Sequence, residues 1–328
     1  MRSQARRSRA AGACSVCLCA LILISVQVVG AASARGHNVS LGVYVGSNDR
    51  LSHLRRYSRM VGRQPVIIST YRPWRLPPFP RSALAPIWRS GAVPLVTWEP
   101  WTYRGKPFAL RRIAAGSYDT YVRAAARAAA AWGHPIMLRF AQEMNGNWYP
   151  WGRGHVSAGV YKAAWRHLVR VFRVAGASNV SWVWTPIVNN GGRYPFAGFY
   201  PGDRWVDWVG LDGYNWGNRE SWQWFGEVFE SSYRTLAHIS SRPMIIAETG
   251  SSEFGGSKAR WVRRALGREL PRLGRIRALV WFDRPFNGLD VRVNSSAAAL
   301  RALREASRAP RYRPDRANLI QALTRLPR

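Results

Sequence analysis

Pro135-Ile136-Met137-Leu138-Arg139-Phe140 is a short apolar run broken by one arginine, set between the helix-like stretches Tyr118–Trp132 and Val160–Ala175. Its length and bulky content fit a strand buried on both faces. Seven further runs read the same way: Val39–Val45, Pro65–Ser69, Val93–Trp98, Val180–Pro186, Val206–Asp212, Pro243–Glu248 and Ile276–Phe282. Trp222–Ile239 and Ala259–Leu270 supply helical readings between the later runs. Eight apolar strands alternating with helices imply parallel βα units, and the closed solution at about 250 residues is a (β/α)8 TIM barrel. An open doubly wound sheet would carry a glycine-rich phosphate loop after its first strand, where this chain reads Gly46-Ser47-Asn48-Asp49. The expected fold is therefore α/β, a single-domain barrel.

Composition agrees with a large folded domain. The 328 residues are 47% hydrophobic and 20% charged, which provides a core and argues against global disorder. Seventeen tryptophans suggest a groove that stacks flat ligands such as sugars or nucleobases. Forty-nine basic residues against seventeen acidic ones give a net charge of +32. All but three of those basic residues (Lys106, Lys162 and Lys258) are arginine, and they are spread along the chain. With alanine runs such as Ala128–Ala131, this reads as compositional bias rather than a nucleic-acid-binding stripe. No nucleic-acid partner is expected, although a basic surface would hold the protein near acidic polysaccharides.

Residues 1–34 read as a signal peptide. Arg2, Arg6, Arg7 and Arg9 precede the apolar stretch Val16–Val29, and Ala32-Ser33-Ala34 supplies a cleavage site. The apolar stretch is shorter than the roughly 20 residues of a spanning helix, so a secreted protein without a stable membrane anchor is expected; an uncleaved anchor is the alternative. Cys14, Cys17 and Cys19 all fall inside this segment, which leaves the mature chain without disulfide or thiolate chemistry. Residues 306–328 form a basic, proline-containing tail with a weak amphipathic stretch from Ala317 to Leu326, either disordered or a last helix packed on the barrel.

Barrel active sites lie at the C-terminal ends of the strands. The fourth strand runs into Gln142-Glu143-Met144-Asn145-Gly146-Asn147-Trp148-Tyr149-Pro150-Trp151-Gly152, and the seventh into Ala247-Glu248-Thr249-Gly250. Two carboxylates facing each other across a cleft are the apparatus of glycoside hydrolysis. On residues alone, each Glu could equally be an arginine's partner at the barrel mouth. The Gln142–Gly152 stretch, however, resembles the acid/base region of glycoside hydrolase family 26, the β-mannanase family. Thr97-Trp98-Glu99-Pro100, Trp182-Val183-Trp184-Thr185-Pro186, Trp208–Trp216, Ala247–Gly250 and Val280-Trp281-Phe282-Asp283 resemble further strand ends of that family, in order from about Val39 to about Leu303.

The resemblance implies a retaining endo-β-glycanase over residues 35–305, with Glu143 as acid/base and Glu248 as nucleophile. Arg139 and Tyr214 would hold Glu248; Trp148, Trp151 and Trp281 would form platforms for sugar faces. Asn145 and Asp212 would supply hydrogen bonds around the cleavage point. Glu99 stays open between a site residue and an arginine partner. Many mannanases of the family carry His immediately before the acid/base, contacting the sugar; Gln142 stands there in this chain and puts mannose over glucose preference in doubt. The expected substrate is a β-1,4-mannan, with mixed-linkage β-1,3-1,4-glucan or β-1,3-xylan as alternatives. A non-catalytic secreted carbohydrate-binding protein is the competing class. The six histidines show no metal-ligand spacing, so no metal is expected, and the lack of a Gly-x-Ser-x-Gly elbow argues against a serine nucleophile. Two carboxylates and water need no cofactor, and a monomer is expected.

Overall fold

The computed structural model describes residues 38–324 apart from 47–50, 75, 78, 103–104, 218–220 and 287; the expected signal peptide and residues 325–328 lie outside the described residues. Eight parallel strands close into a barrel in sequence order. They are β1 (Ser40–Tyr44), β2 (Ile67–Pro73), β3 (Val93–Glu99), β4 (Ile136–Phe140), β5 (Val180–Trp184), β6 (Trp208–Asn215), β7 (Met244–Ser251) and β8 (Ile276–Phe282), and β8 pairs back onto β1. Helices α1 (Leu51–Val61), α2 (Arg81–Arg89), α3 (Leu110–Ala114), α4 (Asp119–Trp132), α5 (Ala158–Val174), α6 (Phe225–Ile239), α7 (Lys258–Arg264) and α8 (Ala297–Ala306) follow the strands. The barrel is therefore a (β/α)8 TIM barrel, as the alternation of runs implies. Among the described residues no helix is long and apolar enough to cross a membrane.

Because successive strand side chains point to opposite faces, each strand serves two cores. Val93 and Leu95 of β3, Met137 of β4, Val183 of β5, Trp208 of β6 and Ile245 of β7 fill the barrel interior. Val96, Trp98, Leu138, Phe140, Trp182 and Trp184 point outward against the helices. The interior is narrow: a Cβ on Gly210 would stand 2.6 Å from the Ile245 carbonyl oxygen, so β6 and β7 close only over glycine there.

The barrel floor is shut by the last helix, α9 (Arg316–Thr324), whose Leu319 and Leu323 join the interior cluster. Ser181 Oγ on β5 donates to the Leu323 carbonyl at 3.3 Å. The described part of the basic tail is thus packed on the barrel. Ala-rich α4 stops at Gly133, which takes the left-handed conformation (φ 73°) that glycine adopts without strain.

Candidate active site

Above the apolar layers, the inward-facing positions turn polar. Tyr71 (β2), Thr97 and Glu99 (β3), Arg139 (β4), and Asp212 and Tyr214 (β6) continue the inward phase of their strands. Glu248 would face outward by simple alternation, since Ile245 and Ala247 face in. A register shift between β6 and β7 pairs Leu211 with Ile246 and Asp212 with Glu248, skipping Ala247. This bulge turns Glu248 toward the barrel axis.

Arg139 is the hub of this polar layer. Fully buried, it donates from Nη1 to both Asp212 oxygens at 3.0 and 2.9 Å, from Nε to Thr97 Oγ1 at 2.9 Å, and from Nη2 to Glu248 Oε1 at 2.5 Å. Burial alone would lower its pKa, but the Asp212 and Glu248 carboxylates outweigh that and hold the guanidinium well above its ordinary range. Tyr214 donates to Glu248 Oε2 at 2.7 Å, and Tyr71 donates to Oε1. Both phenols are raised well above their usual pKa, first by burial and then by the Glu248 charge, so they remain donors. Glu248 is therefore gripped on both oxygens.

Glu143 sits across the cleft on a strained turn. Ala141 and Glu143 both take left-handed backbone angles (φ 45° and 52°), which non-glycine residues adopt at a cost of order 1–3 kcal/mol each. The Glu143 N–H donates to the Thr185 carbonyl at 2.9 Å, fixing the turn against the end of β5. Trp148 Nε1 donates to Glu143 Oε2 at 2.7 Å. Burial, and then the charge of Glu248, push the Glu143 carboxyl up from 4.5 to about 8, against the Trp148 hydrogen bond and the Arg139 charge, which act the other way. A carboxyl pushed toward its protonated form facing one gripped by an arginine and two phenols is the arrangement an acid–nucleophile pair would require.

Both glutamates line a cavity of about 670 Å3 at the C-terminal ends of the strands. Its aromatic walls are Tyr44, Tyr71, Trp148, Tyr149, Tyr194, Tyr214, Trp216, Phe282 and Phe286, and Glu99, Asn190, Gln223 and Glu227 add polar groups. Trp148, 44% exposed, is the one of the three expected platforms that borders the cavity.

The other expected contacts are placed elsewhere. Trp281 falls on the outward phase of β8 and donates to the Val291 carbonyl at 2.8 Å; its neighbour Phe282 faces the cleft instead. Trp151 is buried, donates to the Gln142 carbonyl at 2.8 Å, and stacks flat behind Tyr149 with ring centroids 4.4 Å apart. It supports a platform without being one. Asn145 is buried too, bonded to the Ile187 N–H and to the Ile187 and Tyr194 carbonyls, so it fastens the loop after β5. Asp212 lies below the cleft as the partner of Arg139. Gln142 is buried behind the wall, with Nε2 donating to Glu99 Oε1 at 3.0 Å.

Tyr71, Tyr44, Tyr149, Tyr194, Trp216, Phe282 and Phe286 were not singled out from the sequence. Tyr71 could have been: extending the inward phase of Ile67 and Ser69 by one step reaches it. Among the described residues no group of three or more His, Cys, Asp or Glu could hold a metal ion.

Residues 121–249, from α4 to β7, match the sequence model of glycosyl hydrolase family 26. The chain is 37% identical over 294 residues to Endoglucanase H of Acetivibrio thermocellus, an alignment covering 87% of this chain and 32% of that protein. It is 35% identical over 127 residues to a mannan endo-1,4-β-mannosidase of Bifidobacterium adolescentis, covering 38% of this chain and 12% of that protein. The chain thus spans a third or less of the length of these relatives. A double mutant of a Cellulomonas fimi endo-β-1,4-mannanase shares the fold with a TM-score of 0.66 at 21% identity, covering 89% of this chain and 75% of that one. The matched region holds Glu143, Glu248 and every group that grips them except Tyr71 on β2, and the chain belongs to glycosyl hydrolase family 26.

Proposed function

We propose that this chain is an exported, retaining endo-β-glycanase that cleaves a β-1,4-linked polysaccharide with Glu143 as acid/base and Glu248 as nucleophile. The observation that carries the proposal is the asymmetry of the two carboxyls: one is kept protonated by burial, while the other is held by Arg139, Tyr71 and Tyr214. In the first step Glu248 attacks the anomeric carbon as Glu143 gives its proton to the departing glycosidic oxygen, forming a glycosyl ester and breaking the C–O bond. In the second, Glu143, now a carboxylate, takes a proton from a water that attacks the same carbon, and Glu248 leaves as carboxylate. No further group is required for this balance.

For the polymer, a β-glucan is favoured. The similarity to Endoglucanase H runs along nearly the whole barrel, whereas the similarity to the Bifidobacterium mannosidase covers 38% of the chain. Gln142 in place of the mannanase histidine supports the same choice. Mannan, the expectation drawn from the family resemblance, is the second reading, favoured by the mannosidase relatives.

The test is reducing-sugar release by purified residues 35–328 from mixed-linkage β-glucan, β-1,4-glucan, galactomannan, glucomannan and β-1,3-xylan, beside folded Glu143→Ala and Glu248→Ala variants. Glucan cleavage lost in both variants is expected. Release from galactomannan alone would select the second reading. Tight polymer binding without release would replace the enzyme with a binding protein.

A further inference from the structure

Glu99 ends β3 on the inward phase of Val93, Leu95 and Thr97, and it borders the cleft with Tyr71, Tyr149, Glu143 and Glu248. Its residue is only 7% exposed, and each carboxylate oxygen accepts one N–H: Oε1 from Gln142 Nε2 at 3.0 Å, and Oε2 from Trp101 Nε1 at 3.2 Å. Both donors are neutral. They fix the plane of the carboxyl group and, with Arg139, oppose the upward push that burial gives its pKa, and each oxygen keeps accepting capacity beyond the bond it has.

An acceptor locked in the wall of a sugar-sized cleft is suited to ring hydroxyls, which are donors. Gluco and manno sugars differ in the direction of one hydroxyl, equatorial in the first and axial in the second. A hydrogen bond weakens steeply once its angle falls below about 120°, so an acceptor of fixed orientation serves one epimer and not the other. Gln142, expected from the sequence to touch the sugar, stands behind Glu99 and holds it instead.

We propose that Glu99, locked by Gln142 and Trp101, is the specificity-determining residue of the cleft and reads the hydroxyl configuration of the sugar beside Glu143 and Glu248. This rests on the glycanase reading and names the selecting group within that site. Gln142 is a positioning residue, acting on the sugar through Glu99 and through Tyr149, the wall residue it also hydrogen-bonds. Selectivity in this chain therefore resides on β3 rather than in the residue before the acid/base.

The experiment measures kcat/KM on β-glucan and on mannan for the wild type, Glu99→Gln and Trp101→Phe. Glu99→Gln keeps the shape but turns one acceptor into a donor. A loss of roughly 100-fold on the preferred polymer with less than about 5-fold on the other is expected, which collapses the preference. Trp101→Phe removes the indole N–H, together with part of the ring that packs on Tyr149 and Trp151, and should shift the ratio in the same direction by roughly 3- to 10-fold; it decides the matter should Glu99→Gln fail to fold. Equal losses on both polymers, or an unchanged ratio, overturn the proposal.

The same comparison is made by titrating gluco- and manno-configured tetrasaccharides into the Glu143→Gln protein, with and without Glu99→Gln. An inactive wild type would sink the glycanase reading, yet this binding ratio would still judge Glu99. An epimer preference erased by Glu99→Gln supports the proposal, and no preference or an unaltered one overturns it.

Discussion

Replacing Glu143 with Gln should abolish turnover and at the same time stabilise the fold, by an amount that grows with pH. Burial, helped by the neighbouring Glu248 charge, lifts the Glu143 carboxyl from 4.5 to about 8. Between those values the folded protein keeps a proton that the unfolded chain has released. Stability contributed by this group is thus complete below pH 4.5 and is lost as pH rises through the folded value, by about 1.4 kcal/mol per unit. At pH 7 the accumulated loss is on the order of 3 kcal/mol. Gln has the same shape, does not titrate, and can accept the Trp148 N–H that Glu143 accepts at 2.7 Å. It also keeps the left-handed backbone at this position, so strain cancels in the comparison. For a barrel of this size about 1 kcal/mol corresponds to about 2–4 °C. Thermal melts of wild type and variant at constant ionic strength should therefore coincide near pH 4 and separate by about 6–12 °C near pH 7, with the variant higher. A difference independent of pH, or a variant less stable at neutral pH, would refute the claim that the site holds a buried, protonated acid.

The alkaline limb of kcat/KM should fall near pH 8, where Glu143 loses its proton; Trp148→Phe removes a donor that favours the ionised form and should move that limb upward by about half a unit to one unit. Arg139→Leu strands Asp212 without its counter-charge and should cost about 3–5 kcal/mol in urea unfolding, with Arg139→Leu/Asp212→Leu recovering more than half of it. Leu323→Ala, which empties the barrel floor, should cost about 2–4 kcal/mol while kcat/KM at 25 °C stays within about twofold.

The barrel was legible because parallel strands buried on both faces leave unbroken apolar runs, and β8 was read to its full extent. The strands that were read short are informative. β2 was read to Ser69 but continues to Pro73, β6 to Asp212 but continues to Asn215, and β7 to Glu248 but continues to Ser251. In β2 and β6 the missing end carries a polar inward residue, Tyr71 or Tyr214, which breaks the apolar pattern where the cleft begins; in β7 it follows the bulge that turns Glu248 inward. Glu143 and Glu248 were legible from their flanking motifs. The sugar-facing wall was less so, because facing is a matter of parity: Trp281 and Phe282 are adjacent, and only pairing register tells which one turns inward. The bulge at Ala247 that redirects Glu248 leaves no mark in composition at all.

The choice between an enzyme and a protein that merely binds glycans can be argued from what the site costs. A binding groove needs aromatic walls and a few hydroxyl partners, and Trp148, Tyr149 and Trp216 would serve it. It gains nothing from a carboxyl whose burial opposes folding at neutral pH, nor from a non-glycine residue in the left-handed region beneath it. It gains nothing from a fully buried guanidinium shared between Asp212 and Glu248, a pair whose desolvation hydrophobic residues of equal volume would avoid. Together these features work against stability by several kcal/mol, out of the roughly 5–15 kcal/mol that folded domains hold in reserve. They converge on one point in the cleft, where a carboxyl pushed toward its protonated form faces one held by an arginine and two phenols. That division of labour has a use in breaking a glycosidic bond and none in holding one.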